Sequence, residues 1–143
     1  MKKILIPIDS ADICPKTLEL AITFSIKFDT EITVLHIMHD FEHGPSPYTV
    51  NHARAPELHN KHIQNATKFL NVIAQLFINA GVQTNEVLIS GNVAHEICEY
   101  AEKNDCDLII MCTHSSSATR QFLMGSITNK VLHHATTPVM IVR

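Results

Sequence analysis

The sequence predicts an α/β domain, a doubly wound five-stranded parallel sheet with helices on both faces. Three observations carry this. Short apolar runs rich in β-branched residues alternate with segments of helical periodicity, in the order β-α-β-α-β-α-β-α-β. Parallel neighbours joined by right-handed crossovers put the intervening helices on the two faces of one sheet. The first run, Lys3-Ile-Leu-Ile-Pro-Ile-Asp9, is apolar until it stops on an aspartate, as a central parallel strand does. With that strand central, the strand order reverses beside it. The crevice is then expected where Asp9, Ile37 and the loop after Met111 meet.

The elements follow in order. Leu18, Ala21, Ile22, Ser25 and Phe28 recur at helical spacing; Pro15 is tolerable only in a first turn, so this helix is expected to open near Asp12. Glu31-Ile-Thr-Val-Leu-His-Ile37 is short and β-branched, a second strand. Residues Met38 to Arg54 are polar with Gly44, Pro45 and Pro47, which predicts a loop. A long helix is expected from Pro56 to Ala80, with Ile63, Ala66, Leu70, Ile73 and Phe77 on one face and Gly81 as its stop. Val82 to Ser90 reads as the third strand. Gly91-Asn92 turns the chain into a helix that points Val93, Ile97 and Ala101 inward. Asp107 to Cys112 is the fourth strand, Met124 to His134 the last helix, and Val139 to Val142 the fifth strand. Pro138 before it suits a sheet edge.

At 143 residues and 45% hydrophobic content the chain is sized for a single domain, residues 1–143, with a real core. A net charge of −3 offers no basic field, and the Arg and Lys residues are scattered without interleaved aromatics, so no nucleic-acid partner is expected. No run approaches the ~20 apolar residues of a membrane span, and the opening apolar run is too short for a signal peptide. Cys14, Cys98, Cys106 and Cys112 form no CxxC pair, which predicts reduced thiols in a cytoplasmic protein.

The chemistry-bearing stretch is Asp107-Leu-Ile-Ile-Met-Cys-Thr-His-Ser-Ser-Ser117, leading on to Met124-Gly-Ser126. It reads as a buried strand, a hydroxyl-rich loop and a helix opening at Gly-Ser. That order sets backbone N–H groups and hydroxyls beside a strand's carboxyl end, where anions bind.

At these residues the chain resembles the universal stress protein family. The opening Ile-Leu-Ile-Pro-Ile-Asp, Val34-Leu-His-Ile37, Asp107-Leu-Ile-Ile-Met with Thr113-His114, and the close from Lys130-Val-Leu-His-His-Ala135 to Pro138-Val-Met-Ile-Val142 all look like that family, nearly end to end. The resemblance implies an adenine-nucleotide alpha-hydrolase-like sheet of order 3-2-1-4-5. It also implies a homodimer paired through the Val139–Val142 edge, and a stress-response role with ATP or another adenine nucleotide as ligand, Mg²⁺ accompanying ATP. Pro7, Ile8 and Asp9 would line the site from the first strand and Ile37 from the second. Met111, Cys112, Thr113, His114 and Ser115 would line it from the loop, and Gly125, Ser126, Ile127 and Thr128 from the helix start. The family's signature is Gly, two residues, Gly, nine residues, then Gly with Ser or Thr. Laid on this chain it falls on Cys112, Ser115, Gly125 and Ser126, so both earlier glycines are replaced.

Glycine at such turns serves a positive φ or a close approach to phosphate. If Cys112 or Ser115 had to take φ > 0, each would cost about 1–2 kcal/mol. Against that loss stand the hydroxyls of Ser115, Ser116 and Ser117, the guanidinium of Arg120, and the dipole of the helix starting at Gly125-Ser126. The expectation is a nucleotide-binding regulatory module. The alternative is a nucleotide-free dimeric interaction module with a degenerate phosphate loop.

Ten histidines invite a metal reading through His36, His39, His43, His52, His59 and His62, with Asp40 and Glu42. Most lie on the Gly/Pro loop without fixed geometry, so solvated side chains and no metal are expected. His133 and His134 fit a C-terminal helical turn. Cys112 lies near His114, but a spacing of two residues in one loop does not by itself bring thiol and imidazole together, and there is no convincing general base and no Walker-type lysine. No catalytic residue is therefore assigned, and slow ATP hydrolysis is the most the sequence supports.

Overall fold

The computed structural model describes residues 1–9, 13–39, 55–113 and 125–143. Five strands, β1 (Lys3–Ile8), β2 (Glu31–His39), β3 (Thr84–Gly91), β4 (Leu108–Cys112) and β5 (Val139–Val142), alternate with four helices. The helices are α1 (Pro15–Phe28), α2 (Ala55–Asn79), α3 (Val93–Lys103) and α4 (Ser126–His134). All pairings are parallel and the order is β3-β2-β1-β4-β5, the expected reversal beside β1.

The pleat divides the core into two layers, because successive side chains point to opposite faces. Ile4, Ile6, Ile32, Val34, Leu108 and Ile110 pack with Ala21 of α1 and Leu70, Ile73 and Phe77 of α2. Leu5, Leu35, Ile37, Ile109 and Met111 pack on the other side with Ala94, Ile97 and Ala101 of α3 and Val131 of α4. Ile4, Leu5, Ile109 and Ile110 have no exposed surface, and burial of such a side chain contributes about 1.5–3 kcal/mol.

The boundaries shift from expectation for identifiable reasons. Pro15 is the first residue of α1, with Cys14 as its N-cap; Asp12 lies outside the described residues. β2 runs on through Met38 and His39, since each keeps a β3 partner, Ser90 and Gly91. β3 begins at Thr84 because Val82 still belongs to the end of α2. There Val82 N–H donates to Phe77 O (3.0 Å) and Gly81 N–H to Ile78 O (2.9 Å), a Schellman closure with Gly81 at φ 81°. α4 begins at Ser126; Met124 and the remainder of the 38–54 loop beyond His39 lie outside the described residues. Among the described residues no helix is long and apolar enough to cross a membrane.

Candidate functional site

The sheet opens at its switch point, and Pro7 explains how. Lys2 O accepts from Glu31 N–H at the start of β2 (2.9 Å), and Lys3 O accepts from Asp107 N–H just before β4 (2.9 Å). Along β1, even-numbered residues therefore bond towards β2 and odd-numbered ones towards β4. Pro7 falls on the β4 side and has no N–H to give. Accordingly β1 stays in register with β2 to Ile8↔His36, while its pairing with β4 ends at Leu5↔Ile109. Beyond that pair the strands run on unladdered, and the gap between their carboxyl ends is the candidate crevice.

On the β1–β2 side, Nδ1 of His36 lies 2.9 Å from Ile8 O. A carbonyl only accepts, so this nitrogen carries the proton. The His36 ring stands edge-on to Phe69 of α2 at 6.2 Å between centroids, which holds the end of β1 against β2. Pro7 and Ile8 are half-buried, and Asp9 is exposed at the mouth. Ile37 (6% exposed) and Met111 (7%) are packed into the layer under α3 and α4, so they back the crevice rather than line it openly.

On the other side, Cys112 closes β4 and pairs with Val142, and Thr113 N–H donates to Val142 O (3.2 Å). Among the described non-glycine residues only Asp29 and Asp105 take positive φ. Cys112 therefore fills the first signature position in ordinary strand geometry, and no left-handed strain attaches to it. The Thr113 hydroxyl is buried without a partner among the described residues. His114, Ser115, Ser116, Ser117 and Arg120 lie outside the described residues.

Gly125 is the N-cap of α4, at φ −57° and ψ 149°, with no side-chain cap. A Cβ placed on it would meet only Thr128 Oγ1, at 3.8 Å, an ordinary contact. Among the described residues neither the backbone nor the packing demands a glycine here. Gly125, Ser126 and Ile127 are exposed, and Thr128 is buried beneath them. The first-turn N–H groups have no intrahelical acceptor, so this is a positive helix end open to solvent.

Cys14 was not among the residues singled out from the sequence. It occupies the N-cap position of α1, without a side-chain cap hydrogen bond. Burial pushes the Cys14 thiol up, but the polar surroundings at the start of α1, the Thr17 and Lys16 backbone and the Cys112 side chain, outweigh it and hold the thiol below its ordinary value.

The suggested histidine cluster does not converge among the described residues: His36 is committed to Ile8 and His59 is exposed on α2. His43, His52, Asp40 and Glu42 lie outside the described residues. The group that does converge is His95, Glu96 and Glu99 on α3, with ligand atoms within 4.8 Å of one another; Glu99 is already paired with Lys103 at 2.9 Å. A depression of about 600 Å³, lined by Lys2, Lys3, Asp29, Glu31 and Gln83 among others, lies at the amino ends of the strands. It is remote from the switch point and from the open end of α4.

Comparison with known proteins decides the family. The profile of the universal stress protein family matches residues 1–143, the whole chain. The chain belongs to the universal stress protein family. It is 30% identical over 142 residues to universal stress protein MJ0531 of Methanocaldococcus jannaschii, covering 99% of this chain and 82% of that one. Hypothetical protein MJ0577 of the same organism has a solved structure that superposes with a TM-score of 0.80 at 27% identity, covering 99% of this chain and 94% of that one. A universal stress protein from Archaeoglobus fulgidus, solved in complex with dAMP, shares the fold with a TM-score of 0.71 at 16% identity, covering 100% and 98%.

Proposed function

We propose that this universal stress protein binds an adenine nucleotide in the crevice between β1 and β4. The observation that carries the reading is Gly125. Among the described residues nothing gives a conformational or steric use for a glycine at this N-cap, whereas an oxyanion approaching the open end of α4 does. The phosphates would rest on the N–H groups and hydroxyl at Gly125–Ser126, with Ile127 and Thr128 completing the turn. Asp9 would accept from the ribose or base, beside Pro7 and Ile8 and in front of Ile37. Cys112, Thr113, His114 and Ser115 would follow the phosphate path from the Met111 end of β4. ATP would carry Mg²⁺ on its phosphate oxygens. The related A. fulgidus protein in complex with dAMP supports an adenine ligand, and the unstrained Cys112 removes one objection to it.

The test is protein purified without added nucleotide, heat-denatured, with any released nucleotide identified by mass spectrometry and affinity measured by titration. Saturable binding of ATP, ADP or AMP, weakened roughly tenfold or more by Asp9→Ala or Ser126→Ala, is expected, one charge-assisted bond being worth about 1.5–3 kcal/mol. An empty protein and a flat titration at millimolar nucleotide would overturn the reading and leave a nucleotide-free interaction module.

The assembly we infer is a homodimer joined at β5. Pro138 O accepts from Ile109 N–H (2.9 Å) and Val142 O from Thr113 N–H (3.2 Å), so by alternation Val139 and Ile141 turn their backbone groups outwards. Val139, Met140, Ile141 and Val142 carry no charge to blunt that edge. The setting we infer is the cytoplasm, where four thiols stay reduced.

A further inference from the structure

We propose that the depression at the amino ends of the strands is a binding site apart from the crevice, and that it takes a small zwitterion, an α-amino acid with an aliphatic side chain. Its volume of about 600 Å³ lies within the roughly 300–1,000 Å³ usual for small-molecule sites. The backbone fixes its frame. Glu31 N–H donates to Lys2 O and Ile32 N–H to Gln83 O, both at 2.9 Å, which sets the chain entering β1, β2 and β3 side by side. Thr30 N–H donates to Ser25 O (3.0 Å) and folds the chain back from α1 into β2.

The observation that points to a ligand is Ser25. Hydroxyls inside helices ordinarily return to the carbonyl one turn back. Thr23 does so with Glu19 O and Thr67 with Ile63 O, each at 2.8 Å. Ser25, 4% exposed on α1, makes no hydrogen bond among the described residues, and it lines the depression. A buried hydroxyl without a partner is disfavoured, so one in a cavity wall marks a place for a polar group from outside the chain. Thr30, equally buried in the same wall, donates to Met1 O (3.0 Å) and keeps lone pairs to accept with.

Charge selects the class. Lys2 and Lys3 line the depression together with Asp29 and Glu31, so neither sign prevails. An anion would meet the carboxylates and a cation the ammonium groups. A molecule carrying both charges finds a partner for each. Lys3 Nζ donates to Asn104 O (3.0 Å), and Glu31 Oε2 accepts from Gln83 Nε2 (3.4 Å). Lys2 and Asp29, both exposed, are therefore the pair that meets the ligand carboxylate and ammonium. The carboxyl ends of α1 and α2 adjoin the depression and favour a positive group, which puts the ammonium on the Asp29 side. Ile26 (67% exposed) and Val82 supply the apolar wall that an aliphatic side chain covers.

This inference goes beyond the nucleotide reading and does not depend on it. The two sites are read at different amides, so either can fail alone.

The test titrates the full chain with L-leucine, L-isoleucine and L-valine and follows backbone amide shifts by NMR. Saturable shifts are expected at Ser25, Thr30 and Gln83, with Asp9 and Gly125 unmoved. Isocaproate, which is leucine without its ammonium, and isopentylamine, which is leucine without its carboxylate, are expected to bind at least about tenfold more weakly than L-leucine. Asp29→Asn keeps a residue that tolerates the left-handed φ of 50° and removes the charge, so affinity should fall about tenfold. Ser25→Ala should weaken binding roughly threefold or more while unfolding stability holds or rises, because the hydroxyl it removes has no partner in the fold. Flat titrations with all three amino acids at millimolar concentration would overturn the proposal. So would shifts confined to other residues, or either half-molecule binding as tightly as L-leucine. The wild-type titrations decide it even if a variant fails to fold.

Discussion

Gly91 and Glu96 share one small volume: a Cβ on Gly91 would come within 2.6 Å of Glu96 Oε1 and 2.9 Å of its Cγ. Gly91 also sits at φ 150°, a region that side-chain-bearing residues avoid. It lets β3 end against His39 of β2 while Asn92 caps α3, its Oδ1 accepting from His95 N–H (3.2 Å).

Gly91→Ala is therefore expected to lower unfolding stability by about 1–3 kcal/mol, read by urea denaturation. Glu96→Ala in the same chain should recover the steric part and leave the φ cost. A double variant no better than Gly91→Ala alone would show that the side-chain collision is not the cause.

Asp107 ties the start of β1 to β4: its Oδ2 accepts from Lys2 N–H at 2.6 Å and Lys3 N–H at 2.9 Å. These two backbone hydrogen bonds hold its carboxyl below the usual aspartate value. A group depressed in the folded state contributes stability above its unfolded pKa, about 4, and loses it as pH falls through the folded value. The site is solvent-exposed, so Asp107→Ala is expected to cost only about 1 kcal/mol at pH 7. The gap between variant and wild type should close in acid below that range, and an unchanged gap at every pH would contradict the assignment.

Gly125→Ser separates folding from ligand binding. The serine hydroxyl can cap α4, which has no side-chain cap, so stability is expected to hold or rise by as much as about 1 kcal/mol. Its side chain occupies the space assigned to a phosphate oxygen, so nucleotide affinity should fall at least about tenfold, or 1.4 kcal/mol. A variant that is stable and binds like wild type would place the phosphates elsewhere.

Wild-type protein should scatter light as twice the 16.0 kDa chain. Ile141→Pro removes an outward N–H from β5 without touching the bonds that Pro138 and Val142 make with β4, and an edge strand tolerates proline. The expected result is a folded monomer by light scattering and circular dichroism. A variant that remains dimeric would move the interface off this edge.

Much of this fold is legible in the chain. The apolar runs at Lys3–Ile8 and Leu108–Cys112 and the α2 stripe through Leu70, Ile73 and Phe77 encode strands and helix directly, and Gly81 marks a helix end. The equivalent turns after α1 and α3 are hidden because Asp29 (φ 50°) and Asp105 (φ 52°) take the left-handed position that glycine usually signals. Asp9 and Gly125 are legible through family motifs. The place of Cys14 as the N-cap of α1 is not, since no side-chain cap marks it. Pro7 is visible in the sequence, but the strand it disappoints follows only from the parity of the β1 hydrogen bonds.

That parity also says how the sheet yields. β3, β2 and β1 stay laddered on one side and β4 and β5 on the other, and beyond Leu5↔Ile109 no strand pair joins the two sets among the described residues. The carboxyl ends can spread like the covers of a book whose spine is the amino-terminal half of β1 and β4. Widening the gap along that crease separates no β1–β4 pair beyond Leu5↔Ile109 among the described residues, so each half of the sheet keeps its own ladder as the site adjusts its width.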